Sequence, residues 1–504
     1  MNKNSKPISH PVSGQGSPTC GLSPLASQED TICALATASG GALGIIRVSG
    51  PDAFPIVTTL CSVDCGAATA NTVHFTHIIA SPVSSDAFPP LVSCDSVSPL
   101  VSCDAVSPHH DEVIDEALVT IFRAPHSYTG EDSVEISCHG SPYILNKVLD
   151  RLVQQGCRMA QPGEFTKRAY LNGKMDLSQA EAVADLIASK NKATHQIAMA
   201  QLRGHFSSEL KKLRHQLLQL TSLLELELDF SDHEDLEFAN RSELLDLANK
   251  IDARIMQLAR SFETGQALKK GIPVAIVGKT NVGKSTLLNQ LLHDDRAIVS
   301  NIHGTTRDTI EGTMEIDGVE FRFIDTAGIR QTNDEIEQIG IDRTKQKIQE
   351  AQIIVWLLDE RPTKDEDEEM SKLTKGKRLI CVHNKADLID MKTFVPYYVP
   401  LTMISAKKGE GIDNLKRRIF KEASIAKLTG NDDIIVTNAR HYDALLRSHD
   451  SILRVIDGLH QNLSGDLLSE DLRQTLDILA EITGGLITPQ ETLNSIFQNF
   501  CVGK

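Results

Sequence analysis

The chain of 504 residues is too long for one core and divides into about three domains of ordinary size. With 41% hydrophobic and 23% charged residues it has the make-up of a soluble globular protein, and no apolar run approaches the roughly 20 residues of a membrane span. Its 51 basic and 67 acidic residues give a formal charge of −16, which excludes a general polyanion-binding surface and requires any nucleic-acid partner to meet a local basic patch.

Residues 1–28 are rich in Ser, Pro and Gly, without arginine or an apolar segment, and read as a disordered tail rather than a targeting peptide. The ten cysteines are scattered, as expected for reduced thiols in a cytoplasmic protein. Cys61 and Cys65, with His74 and His77 nearby, form either a metal site or ordinary core and loop thiols, and their spacing fits no common zinc pattern. Strand-like sequence begins near Asp30 and passes through Gly40-Gly-Ala-Leu-Gly44 to Ile45-Ile-Arg47-Val-Ser-Gly50. Arg47 inside an apolar strand must find an anion, either a ligand or a structural ion-pair partner. Residues 91–108 are a tandem nonapeptide that differs only at Ser96 and Ala105, expected as a surface loop. A second strand-rich block runs from Glu112 to Phe122 and from Ser133 to Gly140. Its Glu135 and His139, four apart, share one face of a strand or form a rim pair.

Beyond Pro162–Lys174 the apolar period changes from two to 3.6. Ser178-Gln-Ala-Glu181 reads as a capping box, and Ala180, Val183, Ile187, Leu213, Leu217, Leu220 and Leu224 mark helix faces. A second helix carries Leu244, Ala248, Ile251, Ile255, Leu258 and Phe262 on one stripe. Near the C-terminus Ile452, Val455 and Leu459, then Leu472, Leu476, Leu479 and Ile482, repeat the pattern and supply a surface for those stripes. Between them, from about Gly271 to Leu428, strands alternate with helices in the manner of a doubly wound α/β domain inserted into a helical one.

That inserted block holds Gly278-Lys-Thr-Asn-Val-Gly283-Lys284-Ser285 between a strand and a helix. Free backbone N–H groups and a helix N-terminus converge there on phosphate, with Lys284 for the β/γ-phosphates and Ser285 for Mg²⁺. Asn281, Val282, Gly283, Lys284, Ser285 and Thr286 are therefore the expected phosphate contacts. Downstream, in order, come Ser300-Asn301-Ile302-His303-Gly304-Thr305-Thr306, where Thr306 can complete the Mg²⁺ shell, and Asp325-Thr326-Ala327-Gly328, where Asp325 can hold a metal-bound water. Asn384-Lys385-Ala-Asp387 offers a carboxylate to the paired N–H donors of guanine, which adenine lacks, and Ser405-Ala406-Lys407 closes over the base. The ordered set resembles the translation-factor-like GTPases. Ile329 stands where Ras-type enzymes orient water with glutamine, so catalysis must come from elsewhere. The Asn281 amide either seats a monovalent cation beside the phosphates or only caps the loop.

Gly40–Gly50, Pro125–Gly140, Pro162–Glu181, the GTPase motifs and the ending Phe500-Cys501-Val502-Gly503-Lys504 together resemble the MnmE (TrmE) family of tRNA modification GTPases. The resemblance implies a multidomain α/β plus all-α fold. Residues 29–172 would be an α+β tetrahydrofolate-binding and dimerisation domain, 173–268 and 429–504 the halves of a split helical bundle, and 269–428 an inserted Ras-like GTPase. It implies a homodimer that works with an FAD-containing MnmG (GidA)-like protein to place an aminomethyl or carboxymethylaminomethyl group on carbon 5 of the tRNA wobble uridine. By the same resemblance, 5-formyl- or 5,10-methylene-tetrahydrofolate contacts Arg47, Glu135, Lys174 and Lys504. K⁺ is held by Asn281, Ser300, Ile302 and Thr305, and Glu337 is the catalytic glutamate. Cys501 is either a nucleophile or ligand near the folate, or a buried packing thiol. Two other functions compete: an Era- or EngA-like ribosome-assembly GTPase, and a folate-dependent one-carbon transferase with a regulatory GTPase.

Overall fold

A computed structural model describes residues 30–38, 40–80, 113–229, 241–292, 297–299, 312–324, 345, 348–388, 401–423, 434–485, 490–498 and 500–503. The tail at 1–28 and the repeat at 91–108 lie outside them. The chain separates into two units, residues 1–174 with 494–504, and residues 175–493.

The first unit is built on β1 (Ile32–Leu35), β2 (Leu43–Ser49), α1 (Ala53–Thr58), β3 (Thr72–Ile79), β4 (Val113–Phe122), β5 (Ser133–His139), α2 (Pro142–Gln154), β6 (Arg158–Met159) and α3 (Glu164–Leu171). Its six-stranded sheet has the order β3-β4-β5-β2-β1-β6, with every pairing antiparallel except β1 with β6. Alternate strand residues, among them Ile46, Val48, Val119, Ile121, Val134 and Ile136, are buried with Phe54, Val57, Leu145, Val148 and Leu152 of α1 and α2. Period-two sequence thus buries one face and turns Arg47 and Glu135 to the other, directly opposite each other in register. A Cβ on Gly44 would lie 2.4 Å from Leu145 Cδ2, so glycine is what admits α2 at that point.

Arg168, only 2% exposed, anchors the unit through Asp30 Oδ1 at 2.7 Å and Glu131 and Glu164 carboxylates at 3.2 Å. Residues 494–504 also belong here, although they were expected in the second helical half. The physical reason is local: Gly163 N–H donates to the Cys501 carbonyl, and Lys167 Nζ donates to Asn494 Oδ1 at 3.1 Å. Phe497 and Phe500 crowd the side of Gly163 on which a Cβ would stand.

The second unit starts with α4 (Leu177–Ala188), α5 (Lys192–Leu202), α6 (His205–Asp229) and α7 (Arg241–Lys270). Next come β7 (Ile272–Val277), α8 (Lys284–Leu292), β8 (Ala297–Val299), β9 (Gly312–Ile316), β10 (Val319–Phe323), β11 (Ile353–Leu358), α9 (Lys364–Leu373), β12 (Arg378–His383), β13 (Leu401–Met403) and α10 (Ile412–Glu422). It continues with α11 (Ala439–His460) and α12 (Gly465–Thr483) and includes the start of α13 (Gln490–Phe497). The stripes of α6, α7, α11 and α12 form one core, in which Leu213, Leu217, Leu220, Leu224, Ile251, Ile255, Ile452, Leu472 and Leu479 are buried. The C-terminal helices therefore do cover the stripes that precede the inserted block.

The seven-stranded sheet has the order β13-β12-β11-β7-β10-β9-β8, parallel apart from β9, which is antiparallel to both neighbours. α8 and α10 pack on one face and α9 on the other, so the sheet is doubly wound. Asp317 (φ 50°) and Gly318 (φ 82°) make the left-handed two-residue turn between β9 and β10, as the Asp-Gly pair predicts. Two expectations are corrected. The box that starts α4 is Asp176 with Gln179, two residues before the expected Ser178 and Glu181. Ile187 is 43% exposed rather than packed.

Candidate functional site

The phosphate loop follows β7 and opens α8. A Cβ on Gly278 (φ 155°) would stand 2.3 Å from the Leu357 carbonyl of β11, and one on Gly283 (φ 99°) would stand 2.3 Å from Asn384 Nδ2. Both glycines are needed because other backbone and side-chain atoms press on the loop. Asn281 takes a left-handed φ of 62° and is exposed, as are Ser285 and Thr286 at the helix start. Val282 is buried and pins the loop into the sheet core. The Lys284 ammonium donates to the Gly278 and Lys279 carbonyls at 2.7 and 2.6 Å, across the loop mouth.

Three stretches that lie far apart in sequence meet here. Asn384 Nδ2 donates to the Val282 carbonyl at 2.8 Å while its Oδ1 accepts from Ala406 N–H at 2.9 Å. Ser405 Oγ donates to Asp387 Oδ1 at 2.8 Å, and this hydrogen bond, with Lys408 and Lys407 beyond it, holds the Asp387 carboxyl below its usual range. Asp387 therefore presents an ionised acceptor beside the loop that would hold the phosphates. Lys385 (φ 59°) is tied to Asp359 at 2.7 Å, and this contact depresses the Asp359 carboxyl. Lys407 is exposed. Ser300–Thr306, Asp325–Gly328 and Glu337 lie outside the described residues.

Three positions were missed in the sequence. Asp359, at the end of β11, fixes Lys385, and Glu360 with Glu366 pairs with Lys279 of the phosphate loop at 3.2 and 3.0 Å. The acidic pair directly after an apolar strand, Asp359-Glu360, is the signal that could have indicated them.

In the first unit Arg47 donates from Nε and Nη2 to Glu135 Oε1 at 2.9 and 2.6 Å, and from Nη1 to the Gly503 carbonyl at 3.2 Å. Its guanidinium lies 5.4 Å from the Tyr128 ring centre and 5.6 Å from that of Phe165. Burial raises the Tyr128 phenol, against the pull of Thr166 and Arg47. Lys174 Nζ donates to the Pro125 carbonyl at 2.7 Å and so holds the segment that carries Tyr128. Arg47 and Glu135 are thus in contact, Lys174 braces the neighbouring loop, and Lys504 lies outside the described residues.

The Cys501 side chain is exposed, which removes the packing-thiol alternative. His139 does not join Glu135 but pairs with Asp115 at 2.8 Å. Cys61 and Cys65 are buried and donate to backbone carbonyls, His74 contacts Thr72, and no group of three metal-ligating residues occurs among the described residues.

Two family models match, the GTP-binding protein TrmE N-terminus over residues 31–174 and the MnmE helical domain over residues 177–501. The tRNA modification GTPase MnmE of Phocaeicola vulgatus is 53% identical over 496 residues, covering 94% of this chain and 99% of the relative. The chain belongs to the MnmE family. The Bacteroides thetaiotaomicron MnmE is 50% identical, with 94% and 100% of the two chains covered. Among solved structures, the G domain of the T. maritima FeoB iron transporter aligns at 23% identity and a TM-score of 0.23, over 30% of this chain and 98% of that one. Membership extends over both units described above, and the family's helical model spans the inserted sheet as well as the bundle.

Proposed function

We infer that the chain is a GTP hydrolase of tRNA modification. It acts in the cytoplasm as a K⁺-activated enzyme that, with a flavoprotein of the MnmG type, adds an aminomethyl or carboxymethylaminomethyl group to carbon 5 of the wobble uridine. The observation that carries the nucleotide half is the junction of the phosphate loop, Asn384 and the Asp387–Ser405 pair. Guanine offers two adjacent donors to an ionised carboxylate, and the Asn384 contact that joins this carboxylate's segment to the phosphate loop supports phosphates bound next to it. The tRNA half is supported by 50–53% identity over nearly the full length to proteins named tRNA modification GTPases.

The residues present fit the groups this function needs. A glycine cradle that no Cβ could enter and an exposed Ser285 at the start of α8 suit a Mg²⁺-nucleotide, with Thr306 as the second protein ligand. The left-handed, exposed Asn281 suits K⁺, with Ser300, Ile302 and Thr305 completing the set. When bound, K⁺ would supply positive charge beside the β/γ-phosphates, since Ile329 itself has no polar atom to orient water. Glu337 then polarises the attacking water. Arg47, Glu135, Lys174 and Lys504 read a reduced folate, whose glutamate calls for cations and whose pterin edge calls for a carboxylate. Residues 29–172 form the folate and dimerisation domain, 269–428 the GTPase, and 173–268 with 429–493 the helical domain. Exposed Val73, Phe75 and Leu118 on the outer face of β3 and β4 support a homodimer.

GTP hydrolysis by the purified chain is expected to run roughly 100-fold faster in K⁺ than in Na⁺ at equal ionic strength. Equal rates would contradict the cation assignment. Glu337→Ala is expected to abolish hydrolysis while a fluorescent GTP analogue still binds; loss of binding as well would make Glu337 a structural residue.

A further inference from the structure

In the second unit the end of α4, the start of α5, the last turns of α7 and strand β10 enclose a cavity of about 500 Å³. Small-molecule sites span about 300–1,000 Å³, so the volume is ample for one. No residue of the phosphate loop or guanine edge lines it. Close backbone contact shapes one wall, since a Cβ on Gly265 would stand 2.1 Å from the Val436 carbonyl.

Its charges are not those of the chain as a whole. Four basic side chains face two acidic ones in a protein of formal charge −16. Lys269 is held by Asp185 at 2.5 Å, and Asp185 also accepts from Thr437 Oγ1 at 3.2 Å, so that pair forms part of the wall. The start of α5 is closed by its own cap, with Thr194 N–H on Asn191 Oδ1 at 3.0 Å. Lys190 and Lys270 are different. Both are exposed at the cavity, and neither has a hydrogen-bond or ion-pair partner among the described residues. The half-buried Ile197 and the buried Ala198 line the same cavity and give it an apolar surface.

We propose that this cavity binds a small organic anion with an apolar body, its charged group between Lys190 and Lys270 and its body on Ile197 and Ala198. Two ammonium groups on one anion give charge-assisted contacts that surface lysines facing solvent do not have. Because its walls come from both the bundle and strand β10, an occupant ties these two parts of the unit together.

The test uses 8-anilinonaphthalene-1-sulfonate, an aromatic sulfonate, titrated by fluorescence into the full-length chain saturated with GDP so that the phosphate loop is filled. A saturable site is expected in the wild type. Lys190→Glu with Lys270→Glu should weaken it at least tenfold by removing both charge-assisted contacts. Ala188→Phe, at an exposed position on the cavity wall, should weaken it similarly by occupying the space. Unchanged GDP affinity and melting temperature show that each variant is folded. Wild-type dye affinity in either variant, or no saturable site in the wild type, overturns the proposal. The readout involves neither GTP hydrolysis nor tRNA, so it fails or succeeds separately from the function above.

Discussion

Asn384 braces two loops with one amide, since its Nδ2 holds the phosphate loop at Val282 and its Oδ1 holds the base loop at Ala406. Asp387, three residues on, is positioned by Ser405 and kept ionised by it. The proposed role of this carboxylate is base choice. Asp387→Asn replaces an acceptor with an amide that can donate to the 2-oxo group of xanthine and no longer accepts from both guanine donors. GTP affinity is expected to fall by about 100-fold and that for xanthosine triphosphate to rise, read by competition against a fluorescent nucleotide. Unchanged preference for GTP would show that the base is bound elsewhere. The motif residues were legible because each needs a particular atom at a strand end. The bracing role of Asn384 and the Asp359–Lys385 pair were not, because both depend on neighbours that only the folded sheet brings close.

At the scale of elements, Glu181 on α4 joins Arg440 and His441 at the start of α11, with Arg440 259 positions away in sequence. Burial pushes the Glu181 carboxyl up, but His441 and Arg440 outweigh it and hold it below the ordinary value. A carboxylate depressed in the folded state adds stability that is present above its unfolded value of 4.5 and is lost as pH falls through the folded value. Thermal stability should therefore fall with acidification below about pH 4.5. Glu181→Gln should be less stable at neutral pH and show a flatter acid profile; an identical profile would remove Glu181 from the account.

The same residue shows where sequence pattern gives out. Asp176/Gln179 and Ser178/Glu181 are overlapping pairs at capping-box spacing, and only the distant claim of Arg440 and His441 on Glu181 decides between them. The bundle stripes were legible because four turns of Leu and Ile leave one burial solution. The three-residue β8 was not, being too short to carry a period.

At the scale of the molecule, the last residues of the chain serve its first unit. The Gly503 carbonyl meets Arg47, Asn494 meets Lys167, and Phe497 and Phe500 pack beside Gly163. The resemblance joined Lys504 to Arg47 but counted residues 494–504 with the bundle; the short terminal stretch has no period of its own to show what it packs on. Deleting residues 494–504 should lower the melting temperature of the first unit and weaken reduced-folate binding by at least tenfold in calorimetric titration, through loss of the Arg47 contact and Lys504. GTP binding in the second unit should be unchanged, and undiminished folate affinity would place that site away from Arg47. The link between this GTPase and tRNA modification is tested by nucleoside analysis of tRNA from a strain lacking the chain. The expected result is loss of the aminomethyl-type substituent from carbon 5 of the wobble uridine, restored by the wild-type chain and not by Glu337→Ala. Wobble uridines that keep their full modification in the deletion strain would contradict it.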